Sequence, residues 1–476
     1  MTRQRESVLG GAATKISARS LVIGALVAGT LLRLVFVLGY AHIAGDATVY
    51  GEIATNMLRA HTFGLHDGGA LHSTLIRLPG YPAFLAVCFA VFGIGNFTAA
   101  LYVQLFMDLA TCVLLALLAQ RLGGRRAGLA TLWLAALCPF TANYVAAPLT
   151  EVPAMLCAAC AFFCLERLLR SEELGRIAWP AWAGLAAALL ANDLLRPDRG
   201  LLTVAIVAAL VWPRHGRWPS ARQRFAGVLL CAVLALPLLG WGVRNWRVFH
   251  QVQPLAPRSA ADPGTFVPQH FNRWYRSWAV DFVSTVDTYW TFDGSPLRVD
   301  DLPARAMTTP AERRAVAEAY AAYNENTTAS PAIDAKFAAL ADAHVREHRF
   351  AYYVGLPVAR VANMWLRPRT EMLALPLDWW NFRAHRAGDV LCIAFALVNA
   401  AYLWLAAAGL WRWRRTGWSG LRPLGYAMVG FVLLRSALLL TLDNSEPRYT
   451  LDCFPVVLLL AGLGFAGRRR EQLRQS

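Results

Sequence analysis

The chain predicts an all-α polytopic membrane protein. Three observations carry that reading: an excess of apolar residues, apolar runs long enough to span a bilayer, and arginines gathered in the short segments between them. Of the 476 residues, 57% are hydrophobic and only 16% charged, where a soluble protein of this size carries roughly a quarter charged. Mean hydropathy is +0.39. A soluble core cannot absorb so many runs of about 20 apolar residues, so most of the chain must face lipid.

The apolar runs place about ten spanning helices, at 20–41, 98–120, 127–147, 152–169, 177–195, 200–212, 225–241, 389–410, 423–442 and 450–466. The first follows Arg3, Arg5, Lys15 and Arg19 with no small-residue cleavage site after it, so it reads as a first span and not as a removable signal. An eleventh apolar run, 79–95, decides the topology. If it does not cross, every segment on the N-terminal side carries arginine: 121–126, 170–176, 214–224, 412–422 and the tail 468–474. That is the pattern the positive-inside rule expects of a cytoplasmic face. If it did cross, the basic loops from Arg121 through Arg214 would fall outside. The run 79–95 is therefore expected as an interfacial or re-entrant helix in a first outer loop, 42–97.

Three regions follow: a membrane module at 1–245, an extracytoplasmic region at 246–387, and C-terminal spans with a basic cytoplasmic tail at 388–476. The extracytoplasmic region begins as irregular loop, with Pro254, Pro257, Pro263 and Pro268. Helix is expected at 310–323 and from 332 to about 365, on apolar spacing and alanine content. Its tryptophans, with neighbours in the spans (Trp241, Trp246, Trp274, Trp278, Trp365, Trp379, Trp380), suit an interfacial belt.

The net charge of +16 is spread over inter-helix loops and gathered on no single domain, which argues against a nucleic-acid partner. All nine cysteines lie in apolar stretches and read as packing residues without a disulfide framework.

The informative charges lie in the outer turns. Asp46 directly follows the first span. Arg77 precedes Leu78-Pro79-Gly80-Tyr81-Pro82. Glu151 sits where two spans meet, Arg196 and Arg199 flank Pro197-Asp198, and Glu446-Pro447-Arg448-Tyr449 leads into the last span. Singly, each is an ordinary solvated loop charge. Together, several short turns offer a carboxylate or guanidinium at one membrane surface, where charge is costly unless used.

These motifs resemble the bacterial branch of the protein-mannosyltransferase family, which includes enzymes that add aminoarabinose or galacturonate to lipopolysaccharide. The resemblance rests on the aspartate after the first helix, residues 77–86, Leu-Thr-Glu-Val-Pro at 149–153, and Glu-Pro-Arg-Tyr before the final span. It implies a GT-C glycosyltransferase fold in the inner membrane, with both termini cytoplasmic and the active site on the outer face. It implies a polyprenyl-phosphate sugar as donor and an envelope glycolipid, glycan or protein as acceptor. Asp46 would then be the general base, with inversion at the anomeric carbon. Arg77, Arg196 and Arg448 would hold the phosphate. Glu151 would orient the acceptor or help bind a cation, and Tyr81, Arg199 and Tyr449 would complete the substrate site. Many relatives carry a second acid beside the first-loop aspartate, but here the neighbour is Ala47. His42, His66, Asp67 and His72 share that loop without firm metal spacing. No bound metal or other cofactor is therefore expected, although the relatives' pattern leaves room for a divalent cation. The rival expectation is a transporter or lipid flippase; Arg33 and Arg435, inside spans, could line a lipid pathway on either reading and do not discriminate between them.

Overall fold

Apolar runs become helices here because, in lipid, only internal hydrogen bonding satisfies the backbone. The computed structural model describes residues 17–174, 178–212, 220–382 and 384–467. The basic N-terminal residues, the end of the 170–176 loop, most of the 214–224 loop and the 468–474 tail lie outside the described residues.

The first half of the chain runs α1 (Ala18–Gly39), α2 (Asp46–Arg59), a hairpin of β1 (Gly64–Asp67) and β2 (Ala70–Ser73), and α3 (Gly80–Phe92). Then come α4 (Phe97–Ala136), α5 (Pro139–Asn143), α6 (Glu151–Glu173), α7 (Trp179–Leu195), α8 (Gly200–Val211) and α9 (Ala221–Phe249). The middle carries α10 (Gln269–Arg276), the single turn α11 (Phe282–Ser284), α12 (Pro310–Asn324), α13 (Pro331–Glu347) and α14 (Leu356–Leu366). The last part holds α15 (Arg386–Arg415), α16 (Arg422–Leu439) and α17 (Phe454–Leu463).

Among the described residues, six helices are long and apolar enough to cross a membrane: α1, α4, α6, α9, α15 and α16. The protein is an all-α, multi-pass membrane protein. The remaining expected spans are helical but shorter or interrupted. α4 carries two of them end to end, bent at Gly124, whose φ of +80° only glycine adopts easily. The 127–147 run ends its helix at Ala136 and continues through α5 and a 3-10 turn. α17 has only 10 residues after a 3-10 turn at Pro447–Cys453, and every one of them is buried. It packs against α4 and α15 as the bundle's central helix. α3, the eleventh apolar run, has 13 residues, too few to span, and packs on α2.

The middle region forms a helical cap with its own aromatic core of Phe271, Trp274, Trp278, Phe292, Tyr320 and Phe337. This corrects the belt expectation for three tryptophans: Trp274 and Trp278 are 0% and 1% exposed in that core, in edge-on and tilted ring contacts, and Trp241 is buried against Phe63. Trp246 and Trp380 are about half exposed, as a belt requires. The expected helices appear as α12, started by a Thr309/Glu312 capping box, and as α13 and α14 with a π-helical turn between them. The β1–β2 hairpin was not foreseen. Gly68 and Gly69, both at positive φ, turn it, and Arg244 of α9 clamps it by donating to the carbonyls of Phe63 and Thr74. All nine cysteines are free thiols.

The bundle's two ends differ in chemistry. At one end Arg121 and Arg170 pair with buried Glu166, Arg412 donates to the carbonyls of Gly464 and Ala466, and Ser419 donates to that of Leu122. At the other end lie α2, the N-termini of α4 and α6, and the candidate site. Between them, Arg33 of α1 is fully buried. It pairs with Asp108 of α4 at 2.5 Å and donates to the Ala136 carbonyl at 2.7 Å, locking the first span to the bundle. Arg33→Ala strands the Asp108 carboxylate and should cost about 3–5 kcal/mol. The double replacement Arg33→Met with Asp108→Leu should regain most of that. Thermal unfolding in detergent checks both. Equal losses from the single and double variants would show that the pair is not what holds α1.

Candidate active site

The site is assembled from the starts of helices. Asp46 opens α2, where helix N-terminal dipoles favour a carboxylate. Arg77 comes from the loop before α3, and Arg448 from the 3-10 turn before α17. Each carboxylate oxygen of Asp46 takes one guanidinium: Arg77 Nη2 donates to Oδ1 at 2.7 Å and Arg448 Nη2 to Oδ2 at 2.8 Å. The Asp46 side chain remains 26% exposed, enough for a substrate to reach it. One helical turn on, Tyr50 lies under Arg77, 5.7 Å from guanidinium to ring centre, and packs edge-on against Tyr81. The loop fits because residue 80 is glycine: a Cβ there would lie 2.5 Å from the Leu194 carbonyl oxygen at the end of α7.

A second ring of charge adjoins the first. Glu151 opens α6, with Arg196 and Arg199 each 3.8 Å away. Arg199 is buried, donating to Asp452 and Thr150 at 2.9 Å. Arg196 donates to Asp198 at 3.2 Å and covers the Tyr449 ring at 5.2 Å. Arg448 also lies against that ring, at 5.7 Å. Arg435, buried in α16, binds Asp198, Asp452 and the Tyr449 carbonyl. It therefore braces the turn that carries Arg448.

Electrostatics make this one system. Burial works to raise the Asp46 carboxyl's pKa, but Arg448, Arg77 and Arg196 overcome it and hold the group well below the usual carboxylate range. Asp198 is depressed in the same way, with Arg196, Arg435 and Arg199 outweighing burial. Glu446 goes the other way. It contacts Arg448 but is 4% exposed, and burial pushes it up to about 7, with Asp46 adding repulsion.

Of the eight residues singled out in the sequence, Asp46, Glu151, Arg77, Arg196, Arg448 and Tyr449 converge at this end of the bundle. Tyr81 and Arg199 sit a layer deeper. Tyr81 is 0% exposed, and its hydroxyl donates to Gln104, which in turn donates to the Ala147 carbonyl at 2.8 Å. Both support the site's walls. Sequence reasoning missed Glu446, Glu371, Tyr144, Asp452 and the brace from Arg435. Glu446 stood within a quoted motif, whereas Glu371 and Tyr144 carried no local signal. Among the described residues, no group of three or more His, Cys, Asp or Glu side chains is placed to hold a metal ion. His66 pairs with Glu52 on the far face of α2.

Comparison with known proteins adds to this geometry. Residues 77–241 match the model of the dolichyl-phosphate-mannose-protein mannosyltransferase family. The match takes in Arg77, Tyr81, Glu151, Arg196 and Arg199, and leaves Asp46 and Arg448 outside it. No curated protein matches the chain. Among solved structures, the Archaeoglobus fulgidus oligosaccharyltransferase in complex with an inhibitory peptide and a dolichol-phosphate aligns at 10% identity and TM-score 0.48, over 94% of this chain and 50% of that one. ArnT from Cupriavidus metallidurans bound to undecaprenyl phosphate aligns at 16% identity and TM-score 0.38, over 95% and 79% respectively. The chain spans about half the length of the oligosaccharyltransferases it matches.

The elevated Glu446 yields a signed expectation. The folded protein holds this proton more tightly than the unfolded chain, whose value is near 4.5. The stabilisation is thus complete below that value and is lost as pH rises through about 7. Relative to Glu446→Gln, the wild-type melting temperature should fall across this window and level off above it. A constant difference would show that Glu446 ionises like an exposed carboxylate.

Proposed function

We propose that this protein transfers a sugar from a polyprenyl-phosphate donor to an envelope acceptor, with inversion. The observation that carries the reading is the partly exposed carboxylate of Asp46 held between two guanidinium groups that can themselves bind phosphate. The matching family, described by its dolichyl-phosphate-mannose donor, supports a sugar on a lipid phosphate.

The residues present fit such a donor. Arg77, Arg196 and Arg448 offer planar, permanently charged forks suited to phosphate oxygens. Their positive field can take the electrostatic role that a divalent cation fills elsewhere. The acceptor hydroxyl then attacks the anomeric carbon from the face opposite the phosphate, and its proton passes to Asp46. The bond between anomeric carbon and phosphate oxygen breaks, and polyprenyl phosphate leaves as an anion that needs no acid. Glu151, balanced at longer range by Arg196 and Arg199, helps fix the acceptor.

The resting geometry adds a control. An aspartate clamped by two arginines is a weak base. A donor phosphate competes for the same guanidinium groups, loosening their grip on Asp46 as the substrate arrives. Basicity therefore rises only when there is something to transfer.

Orientation follows the arginines. Arg121, Arg125, Arg126, Arg170 and Arg412–Arg415 all lie toward the end of the bundle remote from Asp46, which supports placing that end in the cytoplasm and the site on the outer face of a bacterial inner membrane. Arg33 and Arg435 are both engaged in buried ion pairs and favour neither this reading nor a flippase.

The test is transfer by the purified, reconstituted protein from undecaprenyl-phosphate sugars. Asp46→Asn should lower kcat by about 10²–10⁴-fold while donor KM stays level or falls, because Arg77 and Arg448 are freed for phosphate. Arg448→Ala should instead raise donor KM, roughly tenfold or more. Full activity in Asp46→Asn would remove it from the mechanism.

A further inference from the structure

The last helix of the cap is built inside out. Residues 350–366 run through the π-helical turn Ala351–Gly355 and α14, and their only charged side chain is Arg360. It points inward: it is 1% exposed, and its Nη1 donates to the carbonyls of Arg276 and Ala279 at 3.1 and 3.0 Å. The neighbouring polar groups turn the same way. The Tyr352 hydroxyl accepts from Arg276 at 2.8 Å, and Asn363 accepts from Ser445 at 3.2 Å. What faces outward is apolar: Phe350, Tyr353, Val354, Val358 and Leu366 are between 46% and 75% exposed. A helix that meets water has the opposite arrangement, with its charges out and its apolar stripe in.

The position of the helix names what covers this stripe. α14 packs against the spans α15 and α16, and the Trp365 indole donates to Ser436 Oγ at 3.2 Å, within the last turn of α16. The C-terminal end of α14 therefore lies level with the end of a span. Val390 and Leu391 of α15 and Leu433 of α16 are likewise exposed, as the lipid-facing residues of a span must be. The stripe continues that surface. At its other end, Arg346 and Arg349 are exposed just ahead of Phe350. There their guanidinium groups can reach lipid phosphates while the ring beside them sits at the acyl boundary.

We infer that residues 350–366 lie in the membrane interface, with the stripe from Phe350 to Leu366 buried in one leaflet of the bilayer. The cap then rests on lipid as well as on the helix bundle, and its partner is the phospholipid surface itself. The consequence is mechanical. Arg360 ties this helix to α10, so lipid contact fixes the height of the cap's aromatic core above the bilayer. This contact is independent of glycosyl transfer.

Hydroxyl-radical footprinting of the unmodified, full-length protein in phospholipid nanodiscs tests the placement. Corrected for intrinsic reactivity, Phe350 and Tyr353 should be protected from oxidation to the same degree as Trp404, which is 69% exposed within the span α15. Free oxidation of both would mean that the helix stands up into water, and would overturn the inference. A second measurement identifies the cover. With Tyr353 replaced by the photoreactive p-benzoylphenylalanine, irradiation in the same nanodiscs should yield a phospholipid adduct, read as a mass increase of the intact protein. A cross-link to a second copy of the chain in place of lipid would make the stripe a protein interface and overturn the inference as well. Should that variant fail to fold, the same replacement of exposed Val358 is judged by the same two products.

Discussion

A charge buried in a lipid-facing protein must be paired, and this constraint organises the molecule. Arg33 needs Asp108, so the first span cannot leave the bundle. Glu166 needs Arg121 and Arg170, so α4 and α6 are tied at the end remote from the site. Arg435 and Arg199 meet at Asp452, which fastens the turn after α7 and the turn before α17 to the same post. None of these pairs is itself chemistry. They set the positions from which the chemistry becomes possible, because Arg448 and Tyr449 stand on a turn that Arg435 and Arg369 hold by its backbone carbonyls.

The same constraint explains what could be read in advance. Apolar length and arginine placement are properties of single segments, and they located nearly every helix and identified α3 as a helix that does not cross. The outer turns were legible because charges at a membrane surface are few and each stands out. The β1–β2 hairpin escaped because its four-residue strands carry histidine and aspartate among only a few apolar positions, and it is held in place by Arg244 from far along the chain. Trp274 and Trp278 were misplaced for a related reason. A tryptophan near a membrane and a tryptophan in a small core look alike until the partners, Phe271, Tyr320 and Phe337, are known.

Within the site, the catalytic candidates were visible and their supports were not. Asp46 and Arg448 sit in short, distinctive turns. Glu371 lies in a stretch whose local pattern announces nothing, and only folding brings it to Tyr144, 227 positions away in sequence. Tyr81 was visible for the wrong reason. Its motif marks a close approach of backbone at Gly80 and a buried hydroxyl on Gln104, so the sequence there records packing more than contact with substrate.

On the proposed reading, the two arginines on Asp46 answer a problem every lipid-phosphate transferase faces. A strong base beside an activated sugar would hand the sugar to water whenever the acceptor is late. A base held by guanidinium groups is weak until phosphate competes for them, and a phosphate delivered on a lipid arrives together with its sugar. The carboxylate that lowers the barrier and the cations that recognise the donor are then parts of one equilibrium. Strengthening either ion pair would slow transfer without touching the acceptor site, and Glu446, sharing Arg448 with Asp46, is the group best placed to tune the balance.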